Sequence, residues 1–485
     1  MDSLKKDNWK IINSYFRDNE DYLVKHHLDS YNDFIINKIP QTLKQYNPLI
    51  IYKGKDKVTG GNYLHTIKIY FGGKDGNRVY ISQPIIYDTI TGVKKHMYPN
   101  EARLKDLDYA SHIFCDVEIE YESYGEDTIT KTFEKIELGR IPIMLKSKHC
   151  ILHGQTKSTL IQMGECPYDL GGYFIIGGLE KVIMSHERKV ENKIYIIKSN
   201  IKDKDGEDLY LYGAQIKSVP EIGFKYARTT SVYISKDNMA IDVRSRGFNY
   251  PIPLFIMFRA LGIISDKDIL EYILYDLETD VSKSLLQILR SSVEKSQLIT
   301  SQNLAIKYLA KMTSGRSDSY VMRVLIEDIF PHVGKSFTKK VYYLGLVVRR
   351  LLLVTIGLLE PTDRDSYIYK RVDLSGFLLA NLFRDGYKQL LRNCKIQIDT
   401  LYRFNPGFES NIQDIVDDDN KSIIFNATKI EEPLFKAFKM GTILGKMGLI
   451  QALTRISSLS TISHLRRVNT PNDLVMINQR RLHNT

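Results

Sequence analysis

The chain has 485 residues, 43% hydrophobic and 26% charged, with a net charge of +11. That balance excludes a disordered or low-complexity chain and gives enough length for more than one core without disulfides. Its four cysteines, Cys115, Cys150, Cys166 and Cys394, form no C-x-x-C pair, which argues against a cysteine zinc site and fits a reducing compartment.

The opening Met1–Asp7 is followed by no apolar run, so no secretory leader is expected. The first forty residues read helical, with Ile11, Ile12, Tyr15 and Phe16 on one face and then Leu28, Tyr31, Phe34 and Ile35, up to a stop at Pro40. From about Leu49 to Val190 the pattern turns to short strands: Tyr63–Tyr70, Arg78–Ser82, Ile113–Tyr121 and Arg140–Lys146. Glycine turns separate them at Thr59-Gly60-Gly61, Gly72-Gly73-Lys74-Asp75-Gly76 and Gly171-Gly172. A second region begins with strands up to about Arg246 and continues with helices at Ile252–Leu261, Asp266–Tyr275, Val281–Ser292, Leu304–Lys311, Met322–Phe330 and Val341–Leu359. Arg349 and Arg350 leave that last run nine uncharged residues, against the roughly 20 that a membrane span needs. Asp363-Arg364-Asp365 reads as a polar joint, Asp373–Leu391 as another helix, and Asp414–Asn420 as an acidic linker. The class is α+β with more than one core.

Positive charge gathers at the far end. From Lys429 to Thr485 there are nine Lys and Arg against three Asp and Glu, the pattern of a phosphate-facing surface rather than an evenly solvated one. The adjacent Arg466-Arg467 beside Asn469-Thr470 have the permanent charge and donor fork suited to phosphate, but from the sequence alone a solvated pair is the leading reading and phosphate binding the alternative. Gln451 by itself reads as a surface glutamine on a helix. His464 has no His, Cys or carboxylate at metal spacing, so it reads as structural or cleft-lining, as do His26, His27 and His483. The carboxylates of Asp417-Asp418-Asp419 diverge along an extended chain, which is poor geometry for magnesium.

The stretch Glu165-Cys166-Pro167-Tyr168-Asp169-Leu170-Gly171-Gly172-Tyr173-Phe174-Ile175-Ile176-Gly177-Gly178-Leu179-Glu180-Lys181-Val182 reads as turn, buried strand, turn and extended segment. Its glycines fit neither G-x-G-x-x-G nor the P-loop pattern. The string resembles the signature of the second-largest subunit of multisubunit DNA-directed RNA polymerase in its eukaryotic, archaeal and large-DNA-virus forms. Other segments are similar to that family in the same order: Leu28–Ile35, Arg140–Ser147, Pro253–Gly262, Asp363–Asp365 with Lys370–Leu374, Ser463–Pro471 and Arg481–Thr485.

The resemblance implies a protrusion built from residues 1–189 and 366–428, a lobe inserted at 190–365, and an incomplete fork at 429–485. It implies a component of the polymerase that forms the upper cleft wall and the fork beside downstream DNA and the RNA–DNA hybrid. The nucleic-acid-facing positions would be Gln451, His464, Arg466, Arg467, Arg480 and Arg481. No catalytic or metal residue would lie in this chain; Mg2+ would be held by the largest subunit. Implied partners are that largest subunit, the remainder of the second-largest subunit, the other polymerase subunits, template DNA and nascent RNA, with no membrane. The place of action would be intracellular: the nucleus, or the host cytoplasm or virion for a viral member. Departures are the apolar Asn472–Gln479 segment, where the family has a glycine- and lysine-bearing loop, the short Lys439–Lys446 segment, and the stop at Thr485, before the family's hybrid-binding core and zinc site. A catalytically silent nucleic-acid-binding scaffold from a split or broken polymerase gene, or a standalone binding module, are the competing expectations.

Overall fold

The structure is a computed structural model that describes residues 2–19, 21–55, 63–87, 93–123, 127–199, 201, 208–220, 227–313, 317–405, 407, 411–443 and 445–470. Its architecture is mixed α and β, in two units. One holds Met1–Arg188 and Val372–Leu474; the other is built on Lys189–Arg371.

The first unit has an antiparallel sheet centred on the long strand Ala110–Ser123. One side of that strand takes Ile129–Pro142; the other takes Val79–Ile81 and Tyr63–Phe71, which in turn pairs Leu49–Lys55. Side chains alternate between faces, so Ile67, Ile69 and Phe71 all enter the core. There they meet the 30-residue helix Ser375–Phe404. Its apolar stripe at Leu379, Phe383, Tyr387, Leu390, Cys394 and Ile398 recurs every three or four residues and is fully covered. Phe71 packs edge-on against Tyr387 with ring centres 5.7 Å apart. The helix Lys25–Asp33 crosses the same long helix so closely that Gly376 lies against the Ser30 carbonyl.

Pro40 does not end the helical run. The run passes from Lys25–Asp33 through a π-helical turn, Phe34–Lys38, into Ile39–Tyr46 with right-handed helical angles at the joints, and Pro40 stands at the start of that last piece. The Leu28, Tyr31, Phe34 and Ile35 face is buried, whereas Ile11, Tyr15 and Phe16 on the Asp2–Asp18 helix are exposed. The acidic segment is no open linker: Ile415 and Val416 are fully buried, and Lys131 holds the Val416 carbonyl at 2.9 Å and Asp417 at 2.7 Å. The Thr59-Gly60-Gly61 turn lies outside the described residues.

The second unit carries a five-stranded antiparallel sheet, Ile194–Lys198, Tyr210–Ser218, Arg228–Ser235, Ile241–Ser245 and Ile252–Pro253. One ladder of apolar residues, Ile196, Ala214, Val232, Val243 and Ile252, crosses all its strands in register. Helices cover that face. Four of them start at a hydroxyl that accepts the orphan N–H three residues on: Ser265, Thr279, Ser301 and Ser317. The apolar helix expected over Val341–Leu359 spans Phe337–Thr355, because Gly357 takes a left-handed turn and leaves Leu358 and Leu359 exposed. Among the described residues no helix is long and apolar enough to cross a membrane.

Candidate nucleic-acid interface

The glycine-bearing stretch folds as the hairpin Phe174–Ile176 to Leu179–Ile183. Gly178, in a left-handed conformation, closes the turn, and a Cβ there would stand 2.5 Å from the Asp106 carboxylate. A further strand, Ser185–Lys189, follows directly. Two of the extended pieces of the basic C-terminal segment attach here. Ile450–Ala452 pairs antiparallel with Leu179–Ile183, and Val468–Asn469 pairs parallel with Ser185–Lys189.

Between these two strands runs the helix Ser458–Leu465. Ser457 and Ser460 start it with a reciprocal capping box at 3.1 and 2.9 Å. Its far end is fixed from the Lys25–Asp33 helix, where the buried His27 donates through Nε2 to the Leu465 carbonyl at 2.7 Å. Burial first, offset in part by that hydrogen bond, brings the His27 imidazole down to about 4. Its Nδ1 has no partner among the described residues.

Gln451 and His464 come together. The Thr454 backbone N–H donates to His464 Nδ1 at 3.2 Å, and His464 Nε2 lies 3.1 Å from Gln451 Oε1. Gln451 Nε2 donates in turn to the Gly448 carbonyl at 3.0 Å. His464 is buried, and burial, then the Arg467 charge, lowers its pKa. Gln451 sits on a strand rather than on a helix. Arg466 and Arg467 emerge just after the helix, and both are exposed. Neither guanidinium has an acidic partner among the described residues. Cations are favoured at a helix C-terminus whatever else they meet, by about 0.3–1 kcal/mol. Arg480 and Arg481, with His483, lie outside the described residues.

Two residues that the sequence did not single out organise the site. Arg455 donates to Glu180 at 2.7 and 3.0 Å and to Asp169 at 3.1 Å, with its guanidinium 4.9 Å from the Tyr173 ring centre. Arg103 grips both Glu165 oxygens at 2.9 and 3.0 Å, Glu180 at 2.9 Å and the Tyr173 hydroxyl at 2.8 Å. The Tyr173 hydroxyl donates to Asp169 at 2.5 Å. Burial pushes Asp169 up, but the Gly171 N–H, the Tyr173 hydroxyl and Arg455 outweigh it and hold the carboxyl below its usual value. Burial dominates at Glu165, which stays above its usual value despite Arg103. A signal was present: Glu165, Asp169 and Glu180 are three acids in one short, largely apolar stretch, and buried carboxylates call for cations. Among the described residues no group of three or more His, Cys, Asp and Glu is arranged to hold a metal. What the arrangement offers is an exposed cation pair and an oriented amide on a braced sheet.

The sequence matches the RNA polymerase beta subunit family over residues 22–431. The chain belongs to that family. Beyond residue 431, pairwise likeness carries the match through the interface. The chain is 34% identical to the DNA-directed RNA polymerase II subunit RPB2 of Encephalitozoon cuniculi, and 32% identical to the DNA-directed RNA polymerase II subunit 2 of Arabidopsis thaliana, each over 99% of its own length. It is also 32% identical to the DNA-directed RNA polymerase subunit Rpo2N of Methanothermobacter thermautotrophicus over 97% of its length. It spans 41% of the two polymerase II relatives and 87% of the archaeal one. In this family member, then, the hairpin signature is a docking sheet for the basic segment.

Proposed function

We propose that this chain works as a component of a multisubunit DNA-directed RNA polymerase, forming part of the cleft wall and the fork beside downstream DNA and the RNA–DNA hybrid. Residues 1–189 and 366–428 would be the protrusion, 190–365 the lobe inserted in it, and 429–485 the beginning of the fork. Family membership supports the assignment to the enzyme. The observation that carries the nucleic-acid role is the exposed Arg466–Arg467 pair, without acidic partners among the described residues, at the end of a helix anchored at both ends.

The assembled enzyme would join ribonucleoside triphosphates on a template by phosphoryl transfer assisted by Mg2+. The largest subunit would hold that metal, and this chain would supply none of its ligands. Its own part is electrostatic and positional: Arg466 and Arg467 hold phosphates, and Gln451 offers an uncharged hydrogen bond. Partners are the largest subunit, the rest of the second-largest subunit, the other subunits, DNA and RNA. The place of action is intracellular, at the transcribed DNA.

The test is the stability of assembled elongation complexes across a salt series. Changing both Arg466 and Arg467 to alanine should flatten the plot of log affinity against log salt by up to about 1.8, at about 0.9 per phosphate contact. The loss should be similar on different template sequences, because phosphate contacts do not read bases. Lysine at both positions should restore most of the slope and less of the affinity. Wild-type slope and affinity in the alanine variant would make the pair a solvated feature and remove the nucleic-acid role.

A further inference from the structure

Beside the arginine pair, the Gln451–His464 contact has a polarity that follows from one backbone group. The Thr454 N–H can only donate, so the His464 Nδ1 that it meets at 3.2 Å must carry a lone pair. A neutral imidazole then bears its proton on Nε2, and that proton faces Gln451 Oε1 at 3.1 Å. The glutamine amide is thereby oriented: flipped, it would set N–H against N–H. Gln451 Nε2 spends one hydrogen on the Gly448 carbonyl. Its second N–H has no partner among the described residues, and Gln451 itself is partly open to solvent.

We propose that His464 is a positioning residue: it locks Gln451 so that an uncharged N–H donor is offered to an oxygen acceptor on the backbone of the bound nucleic acid. The proposal rests on the reading of this segment as the fork. A ribose 2′-oxygen and a phosphate oxygen share the required chemistry. Both accept a hydrogen bond, and a neutral donor can serve either without adding to the salt dependence set by the arginines. Burial first, and then the Arg467 charge, disfavours protonation of His464, and a protonated Nδ1 would face the Thr454 N–H with a second donor.

The two ring nitrogens allow a test that separates positioning from simple bracing. Asparagine at 464 places an oxygen near the Nδ1 position, keeps the Thr454 bond and loses the donor to Gln451. Glutamine at 464 reaches the Nε2 position, keeps that donor and loses the Thr454 bond. The readout is the dissociation rate of assembled elongation complexes on a defined RNA–DNA scaffold, for His464→Asn, His464→Gln, Gln451→Met and His464→Asn with Gln451→Met. His464→Asn and Gln451→Met should each speed dissociation about three- to tenfold, the worth of one net hydrogen bond. The double variant should be no faster than either, and His464→Gln should stay near wild type. Scanning single 2′-deoxy substitutions along the RNA identifies the acceptor. The Gln451-dependent loss disappears at one position if it is a 2′-oxygen and persists at all of them if it is a phosphate.

If His464→Gln is the damaging change and His464→Asn is silent, His464 only braces Thr454 and the proposal is overturned while the fork reading stands. A silent Gln451→Met also overturns it and removes Gln451 from the interface; the salt series on Arg466 and Arg467 then decides the fork reading separately. Should His464→Asn not assemble, Gln451→Glu carries the test. It keeps the bond from His464 but turns a carboxylate oxygen outward, so its loss must exceed that of Gln451→Met. An equal or smaller loss overturns the proposal.

Discussion

Arg103→Met should be among the most damaging single changes in the first unit. Arg103 is 22% exposed and Glu165 only 6% exposed, and their contact is bidentate at 2.9 and 3.0 Å. Glu180 would keep Arg455 at 2.7 Å. Glu165 would keep no cation among the described residues, and burial already holds its carboxyl high. Removing one partner of a buried pair costs about 3–5 kcal/mol, because the other charge stays behind without compensation. Arg103 is partly open to solvent, so we expect the lower end, about 3 kcal/mol. Replacing both Arg103 and Glu165 by methionine removes the stranded charge and should recover most of that loss. The sign of the pH dependence follows. In Arg103→Met the folded-state pKa of Glu165 rises further above its unfolded value, so the penalty is full at neutral pH and shrinks as pH falls toward the unfolded value. The assay is urea denaturation of the full chain, with hydrogen exchange of the Phe174–Ile183 amides as the local reporter. A loss below about 1 kcal/mol, or a double variant as unstable as the single, would refute the reasoning.

His27 is held neutral, at about 4 against an ordinary 6.5. The unfolded chain therefore binds the proton first, and stability should fall as pH drops from about 6.5 to 4, by up to about 3 kcal/mol; a His27→Gln variant that keeps the wild-type pH profile would exclude this origin. Lys340, fully buried in the second unit, donates to the Leu325 and Ile326 carbonyls at 2.7 Å, and burial lowers it to about 8. The cost of its buried charge is relieved as pH rises through 8, so wild type should gain roughly 2 kcal/mol relative to Lys340→Met by pH 9.5, read from paired denaturation curves. Gly376→Ala would set a Cβ 1.9 Å from the Ser30 carbonyl. Overpacking of this kind costs about 1–3 kcal/mol and should exceed the roughly 1 kcal/mol helix-propensity gain, seen as a net fall in unfolding midpoint.

Periodic signals were legible in the sequence and long-range ones were not. Alternation at Tyr63–Tyr70 and the three- and four-residue spacing at Asp266–Tyr275 gave elements within a residue or so of Tyr63–Phe71 and Asp266–Leu274. Pro40 misled because proline both ends helices and opens them, and only the chain after it tells which. Asp414–Asn420 misled because its acids drew more notice than Ile415 and Val416, the residues that bury. The family resemblance drew attention to Gln451, His464 and the arginine pair, but nothing local told that the first two would share a hydrogen bond. Glu165, Asp169 and Glu180 called for cations, but that Arg103 and Arg455 would supply them was not readable, since these partners lie far along the chain and follow no period. Local pattern sets where the backbone bends, whereas ion pairs across the core depend on which segments meet.

The sheet that receives the basic segment is assembled from distant parts of the chain, and this has a consequence for biosynthesis. Leu179–Ile183 leaves the ribosome about 270 residues before its partner Ile450–Ala452. At roughly 5–20 residues per second, the nascent chain carries that unfilled strand edge for about a quarter of a minute to a minute. An unpaired edge with fully buried neighbours such as Val182 and Ile183 is a template for wrong pairing with another chain. The interval favours a holding chaperone on the nascent subunit, and it makes slow translation across Lys189–Arg371 a hazard for this part of the protein rather than for the region being translated.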